Sequence, residues 1–203
     1  TILAAIAFGV PMQFDKAYVE GITLLQAADI RYAEQLGYRI KLLGITRCRT
    51  DGRGQPIGIE LRVHPTLIPA RRLIASVEGA MNAVWVKGDA VGHTMYYGKG
   101  AGAEPTASAV IADLVDVSRM LTSDPENRVP HLAFQAESMS DLPIMTLEQI
   151  ETAYYLRLRV ADEPGVLADI TRILADEQIS IDAVLQREPG EGENQTDIIL
   201  LTH

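Results

Sequence analysis

The residues best suited to chemistry lie between Tyr97 and Val110, in the run YGKGAGAEPTASAV. Gly98, Gly100 and Gly102 stand at alternate positions and strip one backbone segment of side chains. Such a segment turns sharply and lets a ligand lie against bare peptide groups. Glu104, Pro105 and Thr106 follow, and then an apolar run with helical spacing. The glycines and Ala101 therefore stand at the mouth of a helix, where unpaired N–H groups and the helix dipole favour a phosphate or a carboxylate. Spacing alone fits a glycine turn leading into an ordinary capped helix equally well. It does not fit the dinucleotide fingerprint, which needs G-x-G-x-x-G after the first strand of a βαβ unit.

The other polar candidates are weaker. Cys48 is the single cysteine, which excludes an internal disulfide framework, and no base stands near it in the sequence, so it reads as a small strand side chain. His64, His93, His131 and His203 show no metal-ligand spacing, and the prolines beside His64 and His131 favour structural roles for both. Net charge is −9, which argues against non-specific contact with nucleic acid or an anionic membrane. No apolar run approaches the length of a bilayer span, and the opening ILAAIAFGV lacks the basic flank of a signal peptide. Composition suits a soluble cytoplasmic protein whose 203 residues can bury a real core.

The elements that must position the glycines follow from periodicity. Thr23 to Leu36 places Leu24, Leu25, Ala28, Tyr32, Ala33 and Leu36 on one helical face, with Gly37 as a stop. Arg39–Arg49 reads as a strand, 50–58 as a hairpin loop and Ile59–Val63 as the return strand. Leu73–Val77, Ala83–Lys87 and Gly92–Tyr97 read as further strands, with a tight turn at Gly88-Asp89. A helix over Thr106–Leu121 has a broad apolar face (Ala109, Val110, Ala112, Leu114, Val117, Leu121) suited to packing on a sheet. Asp124-Pro125-Glu126-Asn127 marks a turn, and residues 126–152 read as a linker with short elements, because Phe134, Leu142, Ile144, Met145 and Leu147 need burial.

Near residue 153 a second unit begins. Tyr154–Val160 alternates apolar and basic residues, as a half-buried strand does. Asp162-Glu163-Pro164-Gly165 turns the chain. Val166, Leu167, Ile170, Ile173 and Leu174 then fall at helical spacing, and the strands 179–187 and 196–202 follow. The fold class is α/β (α+β): a mixed sheet covered by helices over residues 1–125, and a βαββ unit over 153–203.

Several motifs resemble homoserine dehydrogenases: YGKGAGAEPTASAVIADL itself, EGIT from Glu20, AEQLGYRIKLLG from Ala33, RVHPTLIP from Arg62 and VEGAMNAVWVKGD from Val77. The resemblance covers nearly all of residues 1 to about 125. It implies interconversion of homoserine and aspartate semialdehyde with NADP or NAD, on the route to threonine, methionine and isoleucine. It also implies a dimer formed through this domain, to which the apolar strands Ile40–Thr46 and Ala83–Val86 would contribute. Gly98, Gly100, Ala101 and Gly102 would then face the nicotinamide end of the cofactor, with Glu104, Pro105 and Thr106 shaping the helix entrance. The family's nucleotide-binding domain and its catalytic aspartate and lysine have no counterpart in these residues, and Glu20 and Lys41 stand in the wrong motif context to replace them. The chain thus reads as a C-terminal fragment, inactive alone, with no catalytic residue of its own. Residues 153–203 resemble an ACT domain, a ferredoxin-like βαββαβ module, through DEPGVLADIT and ILADEQISID, and they stop after its third strand. That resemblance puts Asp162, Pro164, Gly165 and Val166 at an effector site, with threonine as the candidate amino acid. The simpler reading is a turn that starts a helix capped by Asp162.

Overall fold

The structure, a computed structural model, describes residues 1–124, 128, 130 and 132–203. The turn expected at Asp124-Pro125-Glu126-Asn127 falls, apart from Asp124, outside the described residues, as does His131.

The first sheet has the order β1-β3-β2, built from β1 (Tyr18–Val19), β2 (Tyr38–Thr50) and β3 (Pro56–Pro69), with β1 parallel and β2 antiparallel to β3. The β2–β3 hairpin pairs from Tyr38↔Pro69 to Cys48↔Ile59 and slips in register at Arg49/Thr50. Its loop closes where Asp51 Oδ1 accepts from the Arg53 and Gln55 N–H groups. β3 runs six residues beyond the expected Val63, straight through Pro65. Glu20 N–H bonds to Val63 O across the β1 edge, so residue 65, two further on, directs its missing N–H to the same side, past the end of β1. Proline therefore removes no ladder bond to β2.

One face of this sheet forms the main core. Ile59 and Leu61 pack with Ala4, Val10 and Ile144, flanked by Phe8, Ala17, Cys48 and Leu142. Ala4 belongs to α1 (Ile2–Phe8). Ile144 belongs to the stretch expected as a linker, which runs beside β3: Ile59 N–H donates to Pro143 O, and Met145 N–H donates to Ile59 O, both at 2.9 Å. The opposite face carries a buried ionic row. Glu60 lies between Arg49 (3.0 Å) and Arg62 (3.1 Å), and Arg62 Nη1 reaches His64 Nε2 at 3.1 Å. His64 is thus held structurally, as its sequence context suggests.

Helix α2 (Ala27–Gln35) packs on β2 and starts four residues later than its periodicity implies. Its start is set by the Asp29 carboxylate, whose Oδ2 accepts the Gln26 N–H at 2.9 Å. The strand expected over Leu73–Val77 is a 3-10 turn, Leu73–Ser76, because Arg72 and Ala75 close successive short hydrogen bonds to Pro69 and Arg72.

β4 (Met81–Lys87) and β5 (His93–Lys99) form a separate two-stranded ribbon. The tight turn expected at Gly88-Asp89 is a longer connection closed by Gly88 N–H to Gly92 O. Trp85 Nε1 donates to His93 Nδ1 at 2.9 Å, which accounts for His93. Helix α3 (Ala103–Leu121) follows the ribbon. Its apolar face, expected to pack on a sheet, stays open: Val110, Ile111, Leu114 and Leu121 are all more than half exposed. No described residue of the chain covers it.

The third sheet has the order β6-β8-β7, from β6 (Tyr155–Ala161), β7 (Ile181–Gln186) and β8 (Gln195–Thr202), all antiparallel. Central β8 buries Ile198, Ile199, Leu200 and Leu201. Helix α4 (Val166–Asp176) sets Val166, Leu167, Ile170 and Leu174, all half-buried, toward the sheet. Ile173, expected with them, is 64% exposed, since it lies at the margin of a stripe centred on the other four.

Candidate functional site

The glycine segment joins β5 to α3. Gly98 still pairs with Asn82 of β4, and Lys99 with Met81. A Cβ at Gly98 would meet no atom within 4 Å, whereas one at Gly100 would come 2.7 Å from Asn82 Nδ2. Ala101 and Gly102 are exposed. α3 begins at Ala103, three residues before the expected Thr106, so Glu104, Pro105 and Thr106 all lie in or beside its first turn. Thr106 N–H closes the first helical bond to Gly102 O at 3.1 Å. Gly102, the N-cap, sits at φ 132°, ψ 157°, a conformation that only glycine adopts without strain, and it brings no side-chain cap. Pro105 lacks an N–H, so the unpaired donors of this turn are those of Ala103 and Glu104. Gly102→Ala is expected to cost about 1–3 kcal/mol at this junction. The loss should appear as faster hydrogen exchange over 104–110, while the β6-β8-β7 sheet is unaffected.

The second predicted cluster is brought together around a cleft of about 490 Å³. Asp162, Pro164, Gly165 and Val166 line it with Ala161, Glu163, Leu167, Gln186 and Ile198. Gly165 is the N-cap of α4, at φ 100°, and no side chain caps the helix. Asp162, expected as the cap in the simpler reading, instead has its N–H bonded to Asn194 O. Val166 N–H closes on Glu163 O at 3.4 Å, and the N–H groups of Leu167 and Ala168 in the first turn of α4 meet no acceptor among the described residues and are open to a ligand, beside half-buried Val166 and Leu167.

Lys41 and Glu20 are engaged locally. Lys41 Nζ donates to Val77 O at 2.6 Å, and Glu20 accepts from the Tyr18 hydroxyl at 2.9 Å.

A third cluster escaped the sequence reading. β6 and β8 turn one face toward α2. Tyr155, Arg157 and Arg159 lie opposite Leu201, Ile199 and Asp197, so all six share that face. Asp29 of α2, 5% exposed, accepts from the Tyr155 hydroxyl at 2.9 Å and from Arg157 Nε at 2.7 Å. Arg157 Nη2 also donates to Gln26 Oε1 at 2.8 Å. One turn on, the Tyr32 hydroxyl donates to Asp197 at 3.2 Å, and the Arg187 guanidinium lies 5.6 Å above the Tyr32 ring. Burial works against the charged form of Asp29, but the Gln26 N–H, Tyr155 and Arg157 outweigh it and hold the carboxyl below its usual range. Burial and then the Asp29 carboxylate push Tyr155 far above the ordinary phenol range, so it stays a donor. A signal was present: Asp29 is a lone charge on the helical face that carries Leu25, Ala28, Tyr32 and Ala33. The basic residues of β6, read as its solvent side, face α2 and the acids of β8 and its preceding loop instead.

Among the described residues no helix is long and apolar enough to cross a membrane.

Comparison with known proteins bears on both units. A family model described as homoserine dehydrogenase matches residues 1–115, and an ACT domain model matches 154–203. The homoserine dehydrogenase of Pseudomonas aeruginosa is 61% identical over all 203 residues, and that of Neisseria gonorrhoeae 52%. The chain spans 45% of the length of each. Among solved structures, a homoserine dehydrogenase from Thiobacillus denitrificans matches the whole chain over 44% of its own, with 68% identity and a TM-score of 0.88. One from Staphylococcus aureus matches 98% of the chain over 45% of its own, at 28% identity and a TM-score of 0.61.

Proposed function

The chain belongs to the homoserine dehydrogenase family, and from that premise we propose that it forms the substrate-side, dimerising and regulatory part of an enzyme that interconverts homoserine and aspartate semialdehyde with NADP or NAD, in threonine, methionine and isoleucine synthesis. The observation that carries this reading is the glycine segment, set on the ribbon edge at the start of α3 within the family match. A bound nicotinamide nucleotide supplies hydride acceptance and donation. The residues fit its nicotinamide end, a pyridinium cation when oxidised and neutral when reduced: Gly98 leaves its Cβ side empty, and Gly100, Ala101 and Gly102 present exposed backbone. Glu104 adds a negative charge and Pro105 removes a donor, which favours the nicotinamide carboxamide over the pyrophosphate at this helix start. Pro105 and Thr106 fix the helix entrance.

The working division is a catalytic and dimerisation domain over 1–125, a linker over 126–152 and an ACT unit over 153–203. Leu42 on β2 and Val84 and Val86 on β4 leave apolar surface exposed, which supports a homodimer through the first domain. The cleft at Asp162, Pro164, Gly165 and Val166 takes a free amino acid as effector, with threonine the candidate. The site of action is the cytoplasm, consistent with an acidic chain bearing one unpaired cysteine.

The test is a nicotinamide reduction assay with homoserine. The longer protein that contains these residues is expected to turn over NADP or NAD, and these 203 residues alone are not. Failure of the longer protein overturns the dehydrogenase reading. Turnover by the 203-residue chain overturns the claim that its own side chains do not suffice for hydride transfer.

A further inference from the structure

The β6-β8-β7 sheet has two working faces, and adjacent residues on its strands serve both. On β8, Ile198 lines the cleft beside α4, and its neighbour Asp197 accepts the Tyr32 hydroxyl on the other side. Gln186, at the end of β7, lines the cleft, and Arg187 lies over the Tyr32 ring. β6 borders the cleft only at its last residue, Ala161, and holds Asp29 through Arg157 and Tyr155, which lie on the same face as Ala161 by strand alternation. On β8 strand geometry makes this alternation obligatory, since the successive side chains of Asp197 and Ile198 point to opposite faces. A shift of a strand on the cleft side therefore moves a contact on the α2 side by the same amount. Those contacts are directional bonds of 2.7–3.2 Å, centred on a carboxylate buried at 5% exposure, and they weaken steeply when misaligned.

We propose that α2 reads the occupancy of the α4-side cleft through this sheet, with Tyr32 and Asp29 as its two receiving residues. The proposal rests on the reading of that cleft as an amino-acid site. α2 is the suited receiver because it packs on β2 on one side and bonds to β6 and β8 on the other. It leads through Gly37 into β2, an edge strand of the first sheet paired along its length with central β3. Tyr32 and Asp29 are positioning residues: neither touches the cleft.

Two separate readings on the 203-residue chain test this. Calorimetric titration with L-threonine measures binding, and hydrogen exchange of the α2 amides with and without L-threonine measures coupling. Threonine is expected to bind and to slow exchange over residues 30–35 by about fivefold or more, with the β4–β5 ribbon unchanged. Coupling is reciprocal, so Tyr32→Phe, which removes one hydroxyl and keeps the ring under Arg187, is expected to weaken threonine binding by the factor by which it diminishes the α2 response. Asp29→Asn should do the same more strongly, and Tyr32→Phe decides the matter if that variant folds poorly. Threonine binding that protects 166–169 yet leaves α2 exchange unchanged overturns the coupling and spares the effector reading. Absence of binding at millimolar threonine overturns the effector reading, and the coupling falls with it.

Discussion

Replacing Asp29 with alanine is expected to lower the stability of the chain by about 3 kcal/mol, the cost of breaking a buried ion pair by removing one partner. One carboxylate performs three tasks: it holds the Gln26 N–H at the start of α2, the Tyr155 hydroxyl and the Arg157 guanidinium. Alanine leaves two of those donors on β6 without their acceptor, at a joint where little water reaches them. Tyr155→Phe separates the contributions, because it removes only a bond between the two units and should cost about 1 kcal/mol. Chemical denaturation monitored by circular dichroism measures both. A cost below that of Tyr155→Phe for Asp29→Ala would show that the joint contributes nothing beyond one hydrogen bond. The same carboxylate sets a pH dependence. Its folded pKa is held below the unfolded value, so the unfolded chain binds more protons and stability rises with pH through this group. Its contribution is complete above about pH 4 and is lost as pH falls through the folded pKa. Acid unfolding of Asp29→Ala should therefore be shallower than that of the parent chain below pH ~4.

That joint also shows where sequence reasoning stops. Periodicity located α2, β2, the β4–β5 ribbon, α3 and the βαββ unit, because each buries or presents one face with its own repeat. It did not locate Tyr32 opposite Asp197, since 165 residues separate them and neither spacing nor composition links them. The β6 arginines illustrate the same limit. Alternation of apolar and basic residues has one meaning if water lies on the second face and another if a helix with a buried carboxylate lies there, and the sequence is identical in both cases. The sequence reading ends the return strand at Val63, but the strand continues through Pro65, and only topology reveals that the donor proline lacks would have pointed past the end of β1. The turn and helix start at Asp162–Val166 were legible because both are local. Gln186 and Ile198, which complete the cleft, come from strands that the fold alone brings there. α3 fails differently: its apolar stripe was read correctly and its partner was not found, because nothing among the described residues covers it.

If the proposed function holds, Gly98→Val in the enzyme that it describes is expected to raise the KM for the nicotinamide nucleotide by at least tenfold, about 1.4 kcal/mol of lost binding, with an unchanged melting temperature. Gly98 is the informative position because a side chain there meets no protein atom within 4 Å. Valine also suits the final turn of a β-ribbon backbone, so the fold has no reason to resist it. Any loss must then come from what occupies the empty space when the enzyme works. Gly100→Val is expected to impair binding as well, but its Cβ would press on Asn82 Nδ2, 2.7 Å away, and the result would mix displacement of Asn82 with exclusion of the ligand. The two variants thus divide the segment's roles. If both impair nucleotide binding, bare backbone at the ribbon edge is what the cofactor requires. If Gly98→Val leaves the kinetics untouched, the alternate glycines serve the turn into α3, with Gly102 at φ 132° as the residue that needs to be glycine, and the nicotinamide lies elsewhere.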